Sequence, residues 1–340
     1  MNSSEKSAKY PQRLLICSLG SIGKKHLQVY QDCYPHIEIG ILRSGCSTNL
    51  RERNEIVETF YDIDKALSWK PDAAIICTPA TDHLTKSLQI AKSNIPMLIE
   101  KPIGTDLIET DLWKELERQS VILPILVGYV LRHDPCLKVV QNYIQNAAIG
   151  KIIEADFYCG SWLPDWRPKS DYKTCVSARR ELGGGVLLEL SHELDLAQLL
   201  LGSIELQSSI VQNSRLLDID VEDQAILLGK SQLGVVTTIR LNFCSNPPRR
   251  SIRIRGSDGE ISWNILLGKV QLVHKDGDKS ECYESRCTAN KRFEIQAKHF
   301  MSCVTNQCRP ACTVTDGMKV LELVVKAREM SLPAEIKTYE

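Results

Sequence analysis

The sequence has no excess charge of either sign: Lys and Arg together number 42, and so do Asp and Glu. With nothing left over to neutralise a phosphate backbone, nucleic-acid binding has no electrostatic support. No run approaches the roughly 20 apolar residues that a spanning helix needs. The best candidate, Val121 to Leu131, is short and carries Pro124 and Gly128, so no membrane partner is expected. No export signal is expected either. Residues 1–13 are polar and mixed in charge, and the apolar run from Leu14 soon meets Gly20, Gly23, Lys24 and Lys25, with no small-residue cleavage site after it. Cysteine is not scarce, at thirteen, but none forms Cys-x-x-Cys. Cys303, Cys308 and Cys312 lie near the wrong spacing for a zinc knuckle, so no metal is expected. Cys17 and Cys77 sit in apolar runs, where a thiol acts as a small hydrophobe. Reduced, structural cysteines point to a cytoplasmic protein.

What is present is a globular composition, 43% hydrophobic over 340 residues, enough for two domains of ordinary size. In the first third, short apolar runs (Arg13–Ser18, Glu38–Leu42, Ala73–Thr78, Met97–Glu100, Leu123–Val127) alternate with helical spacing at Ile22–Tyr34, Asp82–Ser93 and Ile108–Gln119. That alternation predicts a doubly wound parallel sheet, a Rossmann α/β domain over residues 1–128. After about residue 150 the pattern becomes period two, at Lys151–Trp162, Asp223–Leu228, Gly234–Phe243 and Ser251–Ile254. One-sided strands imply an antiparallel sheet. With helical stretches at Gly185–Leu201, Phe293–Thr305 and Asp316–Met330, residues 129–340 are predicted to form an α+β domain with an open, mostly antiparallel sheet.

The first strand runs into Ser18-Leu19-Gly20-Ser21-Ile22-Gly23. A dinucleotide fingerprint reads G-x-G-x-x-G, so Ser18 occupies the first glycine position. Gly20 would let backbone approach a pyrophosphate, and Gly23 would let helix pack on strand. An ordinary strand-to-helix turn is the alternative. About twenty residues on, where a ribose-reading acid is expected, stand Ile41-Leu42-Arg43-Ser44 with no acid. A guanidinium suits the 2′-phosphate of NADP, which favours NADP over NAD. Arg43 as a solvated loop charge is the alternative.

The run Ala73-Ala74-Ile75-Ile76-Cys77-Thr78-Pro79-Ala80-Thr81-Asp82-His83, followed by Glu100-Lys101-Pro102, resembles the glucose–fructose oxidoreductase/inositol dehydrogenase (Gfo/Idh/MocA) family. So do Gly128-Tyr129 with Arg132 and Pro135, Gly183-Gly184-Gly185 leading to His192 and Asp195, Gly256-Ser257-Asp258-Gly259, and the ending His299-Phe300, Asp316-Gly317 and Leu321-Glu322. The resemblance covers nearly the whole chain. It implies hydride exchange between a nicotinamide and a sugar, cyclitol or similar polyol. It also implies that Lys101 is the active-site lysine, and that Pro102 often carries an unusual peptide bond. By the same resemblance Thr78, Pro79, His83, Glu100, Lys101 and Pro102 line the cofactor, joining Gly20, Ser21, Ile22 and Gly23 of the fingerprint and Arg43 and Ser44 after the second strand.

Residue chemistry points the same way. Hydride transfer at carbon needs a proton moved at oxygen, a task that suits His192, with Lys101 stabilising oxyanion charge or relaying the proton. Catalysis would then need both domains. Asp195, three residues on, could orient the His192 ring or serve packing alone. Many relatives place an acid four residues before the histidine, whereas Glu189 lies three before, so Glu189 is a candidate accessory residue. The irregular stretch Ser161–Arg180 holds Trp162, Trp166, Arg167, Tyr172, Arg179 and Arg180. With Tyr129 and Arg132 these form a candidate substrate set for an acidic or nucleotide-linked sugar, in the manner of relatives in surface-sugar pathways. An oligomer interface or a packed loop is the alternative for the stretch. A homodimer or homotetramer is expected through the open sheet. Two other functions compete: a non-catalytic dinucleotide- or sugar-sensing regulator, and an NAD-dependent glycoside-processing enzyme with no net redox.

Overall fold

The apolar runs of the first third become strands because continuous Val, Ile, Leu and Ala leave no polar face to point at water. In the computed structural model, which describes residues 11–43, 56–277 and 280–331, they form β1 (Arg13–Cys17), β2 (Glu38–Leu42), β4 (Ala73–Ile76), β5 (Met97–Ile99) and β6 (Ile125–Val127). A strand not expected from the sequence, β3 (Ile56–Phe60), completes the set. All pair in parallel, in the order β3-β2-β1-β4-β5-β6. The order reverses between β1 and β4, and ligands of such sheets bind at that switch point.

Helices α1 (Ser21–Cys33), α2 (Ile63–Ser68), α3 (His83–Ala91) and α4 (Thr110–Ile122) connect the strands. In α1 the buried positions Gly23, His26, Leu27 and Tyr30 recur at helical spacing. A late segment joins this unit. Helix α8 (Ala289–Val304) packs on α1, with Phe293 edge-on to the His26 ring at 5.5 Å. The first compact unit thus comprises the chain up to Gly104, Ile108–His133 and Thr288–Thr315. The single cut at 128/129 drawn from the sequence does not anticipate this return, because periodicity reports that a helix has an apolar face and not which sheet that face meets.

The second unit comprises Thr105–Leu107, Asp134–Cys287 and the chain from Asp316. Its eight strands are β7 (Ile152–Gly160), β8 (Ile204–Gln212), β9 (Gln224–Ser231), β10 (Val236–Asn242), β11 (Arg249–Gly256), β12 (Gly259–Asn264), β13 (Lys269–His274) and β14 (Ser280–Glu284). They are ordered β14-β13-β12-β11-β7-β10-β9-β8, and every neighbouring pair except β7 with β10 is antiparallel. Helix α5 (Pro135–Gln145) packs against β12–β14, and α7 (His192–Leu201) against β7, β8 and β10. Near the end of α9 (Val314–Met330), the Ala327 carbonyl accepts a hydrogen bond from Ser209 of β8. The opposite sheet face is open: Ile210, Ile226, Leu228 and Val236 are each 43–55% exposed. No helix among the described residues is long and apolar enough to cross a membrane.

One expected helix is two. The stretch Gly185–Leu201 divides into α6 (Val186–Glu189) and α7, interrupted at Leu190 and Ser191.

Candidate functional site

The turn after β1 is built for close approach. Ser18 has φ +83°, a left-handed conformation that favours glycine, and it stands where the fingerprint has one. Its N–H donates to the Leu42 carbonyl at 2.8 Å. A Cβ on Gly23 would lie 2.1 Å from the Ser18 carbonyl oxygen, so helix and turn touch backbone to backbone. A Cβ on Gly20 would meet nothing within 4 Å. Gly20 also caps α1, contributing no side-chain hydrogen bond, and the first turn of α1 holds no acid. The leading amides and the positive end of the helix dipole are thereby offered to an anion.

Across the switch point, β4 leads into Thr78, whose Oγ1 is buried with no hydrogen-bond partner among the described residues. A buried hydroxyl without a partner is costly and marks a position that a ligand can satisfy. His83 is buried, with Nδ1 2.8 Å from the Pro102 carbonyl and Nε2 2.9 Å from the Thr78 carbonyl. Both carbonyls favour the protonated ring, but burial outweighs them and holds its pKa below the usual histidine value. His83 therefore ties the Thr78 turn to the Lys101–Pro102 turn. The Lys101–Pro102 peptide is cis.

Glu100 follows β5 and is 5% exposed. Its Oε1 is 2.7 Å from His26 Nε2, and its Oε2 accepts from the Lys101 N–H at 3.2 Å. Gly128 permits this, since a Cβ there would lie 3.1 Å from Glu100. Arg43 follows β2, half-buried, with its N–H donating to the Phe60 carbonyl at 2.9 Å. Ser44 lies outside the described residues. Tyr129 is buried two residues after β6, and Arg132 Nη1 donates to the Ala311 carbonyl at 2.6 Å.

In the second unit, the Gly183–Gly185 turn sets the entry to α6. Gly185 has φ +111°, and a Cβ there would lie 2.5 Å from the Glu222 carboxylate. His192 opens α7 and is buried, as is Asp195. The break before α7 puts Glu189 and His192 on separate helices. Glu189 Oε2 instead accepts a hydrogen bond from Ser177 Oγ at 3.0 Å. Glu193 of α7 is fully buried and paired with Arg250 at 2.6 and 3.1 Å.

Residues of the 161–180 stretch disperse. Trp166 donates to Ser161 Oγ and packs edge-on against Phe243 at 5.3 Å. Arg179 pairs with Glu181 at 2.7 Å, while Arg180 donates through its main-chain N–H and Nη2 to Asp220. Tyr172 and Arg180 line an open groove of about 970 Å³ with Asp218, Glu222 and Arg328. Trp162 and Arg167 are half-buried.

Two family models match consecutive parts of the chain: an oxidoreductase-family NAD-binding Rossmann fold over residues 12–128, and a GFO/IDH/MocA C-terminal domain over residues 137–262. The chain belongs to the Gfo/Idh/MocA oxidoreductase family. It is an NAD-binding oxidoreductase. The chain is similar to myo-inositol 2-dehydrogenase of Thermotoga maritima, 24% identical over 334 residues, covering 93% of this chain and 95% of that protein. Its fold resembles levoglucosan dehydrogenase in complex with NADH and levoglucosan (TM-score 0.80, 16% identity, 94% and 98% of the chains). It also resembles UDP-N-acetylglucosamine 3-dehydrogenase GnnA from Acidithiobacillus ferrooxidans (TM-score 0.73, 19% identity, 94% and 97%).

The turn fits a dinucleotide: open space over Gly20, an α1 N-terminus with no side-chain cap and a Thr78 hydroxyl with no partner among the described residues are complementary to its polar groups. Sequence reasoning missed His26, whose partner Glu100 lies 74 residues away in the chain, so no local pattern joins the two. It also missed the Glu193–Arg250 pair, and the gathering of His299, Cys303 and Cys308, whose ligand atoms all lie within 4.8 Å of one another.

Proposed function

We propose that this oxidoreductase moves a hydride between a nicotinamide and a carbinol carbon of a sugar, sugar acid, nucleotide sugar or cyclitol. The observation that carries the reading is the meeting at the β1/β4 switch point of the α1 N-terminus, which has no side-chain cap, the Thr78 hydroxyl, which has no partner among the described residues, and the His26–Glu100–Lys101 chain of contacts. The substrate class is supported by the relatives named above. When bound, the nicotinamide supplies or accepts the hydride.

The protein's own residues handle the proton. Lys101, held through its main chain by Glu100, places an ammonium where oxyanion charge develops. His192 takes the hydroxyl proton in oxidation and returns it in reduction. Asp195 and Glu189 support that end of the site, and the groove lined by Tyr172 and Arg180 is the candidate for acidic or nucleotide parts of the substrate. Gly20, Ser21, Ile22 and Gly23 face the pyrophosphate. Arg43, with no acid at the end of β2, favours NADP by pairing with a 2′-phosphate. A homodimer or homotetramer covers the open sheet face around Ile226 and Leu228.

The test is a thermal-shift screen of sugars, sugar acids, nucleotide sugars and cyclitols with NADPH present, followed by absorbance assays on the hits. A bound ligand raises apparent stability by mass action. A hit that is turned over with stoichiometric change in NADPH supports the reading. Product formed without net change in cofactor, or binding without turnover across all hits, overturns it. Sedimentation at micromolar concentration tests the oligomer, and a monomer refutes it.

A further inference from the structure

A thiol cluster in the first unit takes no part in hydride transfer. His299 and Cys303 lie one turn apart on α8 and so share a face. Beyond α8 the chain reverses through Asn306, at φ +57°, and brings Cys308 to the same place. The two sulfurs are 3.5 Å apart, with Cys303 buried and Cys308 exposed. His299 touches both: Nε2 is 3.5 Å from Cys303 Sγ, and Nδ1 is 3.7 Å from Cys308 Sγ.

The state of the His299 ring decides what the cluster does. The Ala311 N–H donates to Nε2 at 2.8 Å, so Nε2 presents its lone pair and the proton of the neutral ring is on Nδ1. Burial lowers the His299 pKa and keeps the ring neutral. Such a ring has no lone pair left for a metal ion. It is instead a donor directed at the Cys308 sulfur. Burial and the adjacent Cys308 thiol push the Cys303 thiol upward, so Cys303 keeps its proton.

We propose that Cys303 and Cys308 form a peroxide-reactive dithiol, a modification site in which Cys308 attacks and Cys303 resolves. The Cys308 thiol passes its proton to water and the sulfur attacks hydrogen peroxide. An S–O bond forms as the O–O bond breaks, the sulfur is oxidised to the sulfenic acid, and the departing oxygen takes up the Cys308 proton and leaves as water. The Cys303 sulfur then attacks the Cys308 sulfur. The S–S bond forms, the S–O bond breaks, and the hydroxyl leaves with the Cys303 proton as a second water. Two thiols lose two electrons and two protons, and one peroxide becomes two waters. The sulfurs must close to about 2.05 Å, a movement the turn at residues 305–307, outside the helix, can supply.

The full-length protein, reduced and desalted, is treated with a slight excess of hydrogen peroxide, and remaining thiols are blocked with iodoacetamide. The tryptic peptide 299–319 holds Cys303, Cys308 and Cys312. It is expected to lose two hydrogens, with the alkyl group on Cys312. In Cys303→Ser protein the Cys308 sulfenic acid is expected to persist and be trapped by dimedone, several-fold faster than at Cys282. Cys282 is the internal standard because it is also exposed but faces the Glu284 carboxylate. Equal trapping at Cys308 and Cys282, a disulfide that includes Cys312, or a stoichiometric zinc ion retained through dialysis that protects both sulfurs overturns the proposal.

Discussion

Adding one methyl group at Gly20 or at Gly23 separates cofactor binding from folding. In Gly23→Ala the new Cβ would stand 2.1 Å from the Ser18 carbonyl oxygen and 3.0 Å from its carbonyl carbon. That is about 1 Å short of the roughly 3.3 Å at which such atoms rest. Both sides of the clash are main chain, so no side chain can swing aside, and α1 must move off β1. Overpacking of this kind costs about 1–3 kcal/mol, and the α1 amides shift with the helix. Gly20→Ala meets nothing within 4 Å, and its φ of −62° with ψ of −171° suits any residue. Stability should stay within about 0.5 kcal/mol of the parent. The methyl nevertheless occupies the space through which the backbone approaches a pyrophosphate. NADH affinity should fall at least about tenfold, or about 1.4 kcal/mol. Urea unfolding followed by tryptophan fluorescence gives the first quantity, and titration of NADH fluorescence gives the second. Unchanged NADH binding in Gly20→Ala, or full stability in Gly23→Ala, refutes the reasoning.

Lys101→Ala and His192→Ala should each lower kcat by about 10²–10⁴ while largely sparing cofactor affinity, and near-parental turnover in both ends the mechanism. Arg43→Ala should weaken NADPH by about tenfold and leave NADH unchanged; a parent that prefers NADH in equilibrium titration refutes the NADP assignment. His26→Leu removes the partner of a buried carboxylate and should cost about 3 kcal/mol in urea unfolding, with a loss under about 1 kcal/mol counting against the bracing role. His83 and His299 are both held below the ordinary histidine value by burial, so the unfolded chain binds protons that the folded chain refuses. Stability should be full above about pH 6.5 and fall progressively as pH drops toward the lowered values. His83→Gln should flatten that slope, and an unchanged slope excludes His83 as a source.

Strands β1, β2, β4, β5 and β6 and helices α1, α3 and α4 of the first unit were legible because their apolar runs are buried on both sides or on one helical stripe, whereas β3 and the short α2 were not. The break at Leu190 and Ser191 was not. Val186, Leu187, Leu188, Leu194, Leu196 and Ala197 are all buried, and a segment apolar on every side has no periodicity to interrupt. Strand β14 escaped for the opposite reason, since its residues are mostly exposed and carry no apolar pattern. Ser18 looked like a defect in the fingerprint, whereas the backbone there adopts the left-handed turn without glycine.

Local patterning by itself determined the Rossmann order of elements, the mostly antiparallel second sheet and the family motifs, because alternation and turn chemistry act between residues close in the chain. Tertiary structure alone decided which polar groups share a buried space. His26 meets Glu100, Glu193 meets Arg250, and Cys308 meets Cys303 and His299. Such pairs form because burial removes water as the competing partner, and which side chains are buried together follows from packing of the whole chain.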